Sequence, residues 1–205
     1  MNSDIVQETF DSDGYVIVDD FLLDDVVKEL HEFAVNCKHI NDLYPDGKYY
    51  SINFTKDDHL FDLLPPIIES IRQTFSPLHD LEYDRGWAFI CQNQGSGVPP
   101  HADPAVVNVN LWVTPDECVD DYTKNGLIVY DKTIPDGWTW EQYNCSTDLI
   151  EGYLKESEAK ERLVPYRCNR MTLFQSHYFH RTNGVSMKPG KNNRRVNYTF
   201  MFKNK

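Results

Sequence analysis

The sequence predicts a mainly β fold with flanking helices, an α+β arrangement in which a β-sandwich or barrel forms the core. Two observations support this prediction. Apolar residues at helical spacing are concentrated in the part of the chain before Pro77. After Pro77 the chain becomes a series of short apolar runs separated by turn residues, which is typical of strands.

The first 80 residues are expected to form a helix-rich part that packs on the β core. Residues 14–18 are β-branched or aromatic and predict a strand. Asp24 is a candidate N-cap for a helix over residues 25–37, where apolar residues recur at helical spacing. A second helix is predicted over residues 63–75 and is expected to start at the pair Pro65-Pro66, because proline is favoured in the first helical turn.

The rest of the chain predicts strands and one insertion. Residues 41–58 are rich in turn formers, and Pro45-Asp46-Gly47 marks a turn. The strands are predicted over residues 87–92, 106–113, 126–131, 171–175 and 196–202. Residues 135–161, which end in a charged helical stretch, are interpreted as an insertion between strands. Because no repeat or linker interrupts the pattern, residues 1–205 are expected to form one domain.

Charge and cysteine content exclude several classes of protein. Lys and Arg total 20 against 32 Asp and Glu, which gives a net charge of -12. Such a surface repels phosphate groups, so neither nucleic acid nor a membrane is an expected partner. The five cysteines are scattered without a CxxC pair, which indicates reduced thiols rather than disulfides or structural zinc. A polar amino terminus without a signal peptide favours a cytoplasmic protein, expected as a monomer or homodimer.

His101, Asp103 and a later histidine are candidate metal ligands. Residues two apart point to the same side of a strand, so His101 and Asp103 can reach one metal if a strand begins near Pro100. Two imidazoles and one carboxylate on one face of an octahedral ion form the facial triad of non-haem iron(II) oxygenases. His177 and His180 compete for the third position, since an offset of three places them on opposite faces of a regular strand.

The last predicted strand carries candidate residues for a carboxylate co-substrate. Arg195 and Asn197 share its polar face, which suits the interior of a site. A guanidinium can bind a carboxylate through two parallel hydrogen bonds, and Arg194 is the alternative to Arg195. Asn108 and Asn110 share a face of an otherwise apolar strand, where they could contact a co-substrate or make buried structural hydrogen bonds.

Three segments together resemble the iron(II)/2-oxoglutarate-dependent dioxygenases, especially the prolyl-hydroxylase-like and phytanoyl-hydroxylase-like members. They are Pro100-His101-Ala102-Asp103, residues 173–182 with His180, and residues 194–199 with Arg195, in the HxD…H…R order of that family. Residues 13–22 also resemble the opening of the phytanoyl-hydroxylase-like group. The resemblance implies a double-stranded β-helix (jelly roll) core, with Fe(II) as the metal, 2-oxoglutarate as co-substrate and O2.

The resemblance also assigns residues. The implied iron ligands, which are the catalytic residues, are His101, Asp103 and His180. The implied co-substrate residues are Arg195, Asn110 and Asn197. In the family a phenylalanine-x-serine stretch precedes the last histidine, which favours His180 over His177.

The implied activity is hydroxylation of a small molecule or an amino-acid side chain, with release of succinate and CO2. A cupin-type metalloenzyme that does not use 2-oxoglutarate and a catalytically silent jelly-roll binding or regulatory module are the alternatives. Aromatic residues of the insertion and of the early loop could line a substrate pocket or form satellite core. They are Trp138, Trp140 and Tyr143, and Tyr44, Tyr49, Tyr50 and Phe54.

Overall fold

The computed structural model describes residues 3–37, 41–42, 49–53 and 60–205. Four α-helices occur in these ranges, three of them ahead of residue 75. They are α1 (Ser3–Asp13), α2 (Asp24–Asn36), α3 (Leu60–Thr74) and α4 (Thr147–Glu156). None of the helices in the described ranges is both long enough and apolar enough to cross a bilayer.

Twelve strands in the described residues form three antiparallel sheets. They are β1 (Tyr15–Val18), β2 (Asn41–Asp42), β3 (Tyr49–Asn53), β4 (Leu81–Cys91), β5 (Gln94–Gly95), β6 (Val107–Trp112), β7 (Leu127–Thr133), β8 (Glu161–Val164), β9 (Met171–Gln175), β10 (Tyr178–Thr182), β11 (Val185–Ser186) and β12 (Val196–Asn204). The major sheet has the order β1-β9-β6-β12-β4-β3-β2, and the minor sheet has the order β10-β7-β8. Strands β5 and β11 form a separate pair. The prediction of a mainly β fold with flanking helices is confirmed.

The outer face of the major sheet packs against the early helices. Alternate residues of its central strands, such as Val109 and Tyr198, are fully buried in one cluster with Leu30 of α2 and Ile71 of α3. The Tyr198 hydroxyl donates a hydrogen bond of 2.8 Å to the Leu30 carbonyl, which ties α2 to the sheet. The helices therefore cover one face and leave the opposite face to the minor sheet, where the polar residues of β6 and β12 lie.

Two helix starts differ from the sequence prediction, and α1 was not predicted. Leu23, not Asp24, occupies the N-cap position of α2, and no side chain caps that end. Helix α3 begins at Leu60 and runs through Pro65 and Pro66 rather than starting at them. Each proline removes one backbone hydrogen bond from the helix. Burial of the apolar side chains on the inner face of α3 offsets that loss.

Several strands are longer or more numerous than predicted. Strand β4 begins at Leu81 rather than at residue 87, and part of the turn-rich segment 41–58 forms β2 and β3. The short strands β8 and β10 were not predicted, because β8 is largely exposed and β10 interrupts its apolar pattern with polar side chains. The predicted turn at residues 45–47 lies outside the described residues.

Candidate metal centre and adjoining pockets

His101 and Asp103 do not lie on a continuous strand, so that part of the sequence prediction is wrong. His101 makes a single antiparallel bridge with His180 of β10, and the Asp103 amide donates instead to the Ser176 carbonyl at 3.0 Å. The Ala102 amide between them donates to the Tyr143 carbonyl, so the chain leaves β10 after His101. The two side chains are brought to one point by this loop rather than by the period of a strand.

The three side chains nevertheless converge. One ligand atom from each of His101, Asp103 and His180 lies within 4.8 Å of the other two. The His180 Nε2 atom is 3.4 Å from Asp103 Oδ2, and the His101 Nε2 atom is 3.9 Å from Asp103 Oδ1. The two imidazole centroids are 4.3 Å apart. Two nitrogens and a carboxylate thus surround a space of the size that one metal ion fills.

Backbone carbonyls orient both imidazoles. The Nδ1 atom of His101 lies 2.8 Å from the Pro99 carbonyl oxygen, and the Nδ1 atom of His180 lies 3.1 Å from the Tyr178 carbonyl oxygen. A carbonyl only accepts, so each Nδ1 carries the proton and each Nε2 presents a lone pair. Burial, reinforced by the proximity of His180, lowers the pKa of His101 and keeps that ring neutral at pH 7.

Two asparagines hold the Asp103 carboxylate. The side-chain nitrogen Nδ2 of Asn108 donates to Asp103 Oδ2. The side-chain oxygen Oδ1 of Asn108 in turn accepts a 2.9 Å hydrogen bond from the Ser176 hydroxyl. The side-chain nitrogen Nδ2 of Asn144 donates to the Ala102 backbone carbonyl at 2.8 Å and to Asp103 Oδ1 at 3.3 Å. Burial acts to raise the pKa of Asp103, whereas the hydrogen bond from the Asn108 side chain acts to lower it, and the pKa is lowered overall. The carboxylate is therefore ionised and fixed.

His177 takes no part in this cluster. Its side chain is exposed at the turn between β9 and β10, where the ring stacks on Tyr178 with centroids 5.0 Å apart. His180 is only 4% exposed and lies on β10, where the edge of the Phe174 ring packs against it. Of the two competing histidines, the structure brings His180 to the other two ligand candidates.

Arg195 is buried beside the cluster without an acidic partner among the described residues. It is 4% exposed, and its Nε donates a 2.7 Å hydrogen bond to the Asn125 carbonyl. Its guanidinium lies over the Trp112 ring at 5.5 Å and near the Tyr166 ring at 6.0 Å. A buried cation without a counter-ion is costly, which favours an anionic ligand at this place. Arg194 points elsewhere, over the Tyr50 ring at 5.3 Å.

A small inner cavity joins the arginine to the three ligand candidates. Its volume is about 50 Å³, and its walls include His101, Asp103, His180 and Arg195. The predicted co-substrate residues Asn110 and Asn197 also line it. The Thr199 hydroxyl, which accepts from the Asn197 amide at 2.9 Å, donates to Asn110 Oδ1 at 2.8 Å. The Asn197 Oδ1 atom is buried with no hydrogen-bond partner in the described part of the chain.

A larger pocket of about 360 Å³ opens from the same place. It shares five residues with the inner cavity: Trp87, Phe89, Val98, His101 and Asp103. Its walls also include Trp140 and Asn144, from the segment between β7 and β8, together with Arg85 and Met201. Arg85, Trp87 and Phe89 were missed by sequence reasoning, although their spacing of two on β4 places them on one face.

The other predicted aromatics have different fates. Trp138 packs against Tyr153 and Phe179 in a small core beneath α4. The backbone of Tyr143 supports the HxD segment, because its carbonyl accepts from the Ala102 amide at 2.9 Å. Tyr50 lies beneath Arg194. Tyr44 and Phe54 lie outside the described residues, and Tyr49 is described only by its backbone in β3. The largest pocket described, about 660 Å³, lies beside α4 and includes none of the three ligand candidates.

Comparison with known proteins identifies the fold. No protein-family model matches the chain, and no curated protein is similar to it in sequence. Solved structures do match over nearly the whole chain. The chain superposes on the non-haem α-ketoglutarate-dependent epimerase SnoN from nogalamycin biosynthesis with a TM-score of 0.72 at 13% identity, covering 98% of this chain and 82% of SnoN.

Two further structures agree. HygX from Streptomyces hygroscopicus, with nickel and 2-oxoglutarate bound, gives a TM-score of 0.67 at 11% identity, covering 100% of this chain and 88% of HygX. A Pseudomonas putida prolyl-4-hydroxylase gives a TM-score of 0.60 at 13% identity, covering 100% of both chains. The chain has the fold of these oxygenases. The predicted jelly-roll core is thereby confirmed.

Proposed function

We propose that the protein is an Fe(II)- and 2-oxoglutarate-dependent oxygenase that hydroxylates a small molecule or an amino-acid side chain and releases succinate and CO2. The observation that carries the proposal is a buried arginine, without an acidic partner in the described residues, in the same cavity as two histidines and an aspartate. A metal site alone would not require that cation. A 2-oxoglutarate carboxylate would supply its missing counter-ion.

The donor set fits iron(II). His101, Asp103 and His180 supply two neutral nitrogens and one anionic oxygen, and such a set leaves the opposite face of an octahedral ion open. The hydrogen bonds to Pro99 and Tyr178 hold both rings in the tautomer that a metal requires. These residues would therefore hold Fe(II), and Arg195 would orient 2-oxoglutarate from its far carboxylate.

The bound iron and 2-oxoglutarate would supply the oxidising power for attack on a C–H bond, with O2 as oxidant. The chain's own residues bind and orient. Asn108 and Asn144 keep the Asp103 carboxylate at a fixed angle, so that its direction does not change as ligands enter. Trp87, Phe89 and Val98 line both cavities and give them apolar walls beside the ligand candidates. The carboxylate at residue 103 also fills the position that a halide would need, which favours hydroxylation.

Two measurements on the full-length protein test the proposal. Anaerobic calorimetry with Fe(II) and then 2-oxoglutarate should show one metal site and metal-dependent binding of the co-substrate. Succinate release in air should require Fe(II), 2-oxoglutarate and intact His101, with His177→Ala as the matched histidine control. A protein that binds iron but neither binds nor consumes 2-oxoglutarate would be the cupin-type alternative. One that binds neither would be a silent jelly-roll module.

A further inference from the structure

We infer that the substrate is a small ring-bearing molecule that carries an oxyanion, with Arg85 binding the oxyanion at the mouth of the 360 Å³ pocket. This inference rests on the proposed function, since it names the substrate class for that site. Three observations support it: the composition of the pocket walls, the unused hydrogen-bond donors on β4, and the register that sets their distance from the metal ligands.

The pocket walls suit a ring. Most lining residues are apolar, and three of them are aromatic: Trp87, Phe89 and Trp140. Trp87 and Phe89 stand on β4 with their rings edge to face, 5.7 Å between centroids. Trp140 comes from the insertion and is 48% exposed, a high value for so large an apolar side chain. Flat, rigid side chains bind rings with little loss of conformational entropy, whereas an extended peptide would need a longer open groove.

The same strand offers donors that the described residues do not use. The Nε atom of Arg85 donates to Asp84 at 2.6 Å, which leaves the Nη groups for a ligand. The Nε1 atom of Trp87 is buried and has no hydrogen-bond partner in the described part of the chain. Because that atom has almost no accessible surface, Arg85 is the one of the two whose donors a ligand in the pocket can reach. Arg85 and Trp87 are two residues apart on one strand and so point to the same face.

Arg85 can bind a ligand without leaving its partner Asp84 unpaired. Asp84 also accepts from Lys203 Nζ at 3.0 Å, so its carboxylate keeps a counter-ion when Arg85 turns to an oxyanion. Among the described residues that line this pocket, Arg85 is the only lysine or arginine. A guanidinium fork matches a carboxylate or phosphate through two parallel hydrogen bonds. The mouth of the pocket is therefore locally suited to an anion although the chain as a whole is acidic.

The register of the sheet places the donors at a useful distance. Arg85 of β4 and Asn108 of β6 both pair with Met201 of β12, so they lie two strands apart in one row. Two strand spacings are about 10 Å. Asn108 donates to the carboxylate of Asp103, one of the proposed metal ligands. Arg85 therefore lies about 10 Å across the sheet from the residue that holds this ligand. A ring with a short acidic side chain spans that distance, with its ring end toward the metal.

Calorimetry with unreactive probes tests this inference. The probes are 3-phenylpropionate, 2-phenylethyl phosphate and the neutral 3-phenylpropionamide, each titrated into full-length protein with 2-oxoglutarate in excess. At least one of the two acids should bind about tenfold or more tightly than the amide, and the stronger of them identifies the oxyanion. Arg85→Met should remove that preference, and Trp140→Ala should weaken both acid and amide. Arg167→Met is the matched control, because Arg167 is also ion-paired to an aspartate, at 2.8 Å, and lies outside the pocket walls.

Equal binding of acid and amide, an acid preference that survives in Arg85→Met, or no binding of either acid would overturn the inference. None of these outcomes touches the proposed function, which depends on Fe(II), 2-oxoglutarate and Arg195. Conversely, a failure of 2-oxoglutarate to bind would leave the Arg85-dependent preference measurable.

Discussion

His101 and His180 are joined by two backbone hydrogen bonds. The His101 amide donates to the His180 carbonyl at 3.0 Å, and the His180 amide donates to the His101 carbonyl at 2.8 Å. Since the main chain already holds the two rings side by side, the fold does not need a metal to bring these side chains together. The same bridge connects the loop after β5 to the minor sheet and so fixes the inner cavity.

We expect substitution at the three ligand candidates to abolish metal binding without unfolding the protein. His101→Ala, Asp103→Ala and His180→Ala should each weaken Fe(II) affinity more than about 100-fold. Loss of a residue that only orients a metal ligand already costs roughly 10–100-fold in affinity, and loss of the ligand itself should cost more. Their circular dichroism should match the wild type, because the backbone bridge does not depend on the rings. Anaerobic calorimetry measures the affinity.

His177→Ala is the control for these variants, because its ring is exposed at the turn just before β10 and takes no part in the cluster. Wild-type affinity in His101→Ala, or a loss in His177→Ala as large as in His180→Ala, would contradict the assignment of the ligands.

Arg195→Met should abolish the binding of 2-oxoglutarate without destabilising the fold. The buried guanidinium lacks an acidic partner in the described residues and is costly to bury, so its replacement should leave the free energy of unfolding unchanged or raise it when no ligand is bound. In the wild type, 2-oxoglutarate at 100 times its Kd should add about 2.7 kcal/mol of stability, and this gain should vanish in the variant. Urea unfolding with bound metal measures both quantities.

Arg194→Met supplies the comparison, since Arg194 lies over Tyr50 instead. A loss of the 2-oxoglutarate effect in Arg194→Met but not in Arg195→Met would move the carboxylate site by one residue.

The sequence allowed the fold class, the convergent histidines and the buried arginine to be predicted, but some of the reasoning was wrong in detail. The period-two argument for His101 and Asp103 failed because the chain leaves β10 after His101, where the Ala102 amide donates to the Tyr143 carbonyl and the Asp103 amide to the Ser176 carbonyl. The argument succeeded on β12, where Asn197 and Thr199 share the cavity with Arg195. Residues 196–202 of that strand are all buried, so the alternation of polar and apolar residues reflects two buried faces.

Asn144 could not have been found in this way. It comes from the segment between β7 and β8, where a π-helical turn (Glu141–Cys145) carries it to Asp103. No local pattern in the sequence specifies such a contact, because it depends on how the segment between β7 and β8 folds back over the HxD loop. Residues at π-helical turns often serve functional sites, but the turn itself is not readable from spacing.

The two asparagines at Asp103 should differ in their effect on metal binding. Asn108→Ala should weaken Fe(II) affinity by about 10–100-fold, because it removes the donor to Oδ2 and leaves the Ser176 hydroxyl without its acceptor. Asn144→Ala should have a smaller effect, since its contact with Oδ1 is 3.3 Å and its shorter bond is to a carbonyl. Metal titration of both variants tests this order.

Asn93→Ala is the matched control, because Asn93 is a half-buried asparagine whose side-chain nitrogen donates to the carbonyls of Lys188 and Gly190, away from the three ligand candidates. Wild-type metal affinity in Asn108→Ala would show that the carboxylate is held by other means.

Gly97→Ala should destabilise the loop that leads to His101. Gly97 has φ +82°, and a Cβ there would lie 2.4 Å from the Cβ of Thr182, two residues beyond His180 on β10. Both the backbone conformation and the contact exclude a side chain, so we expect a loss of at least about 1 kcal/mol in unfolding free energy. The displaced loop should also weaken Fe(II) binding, because the Thr182 amide donates to the Val98 carbonyl at 3.0 Å and thereby holds the loop to β10.

Gly95→Ala, where no atom lies within 4 Å of the added Cβ, should leave both properties close to the wild type. Thermal unfolding and metal titration of the two variants, compared side by side, measure these effects, and equal behaviour of the pair would show that this close approach does not fix the site.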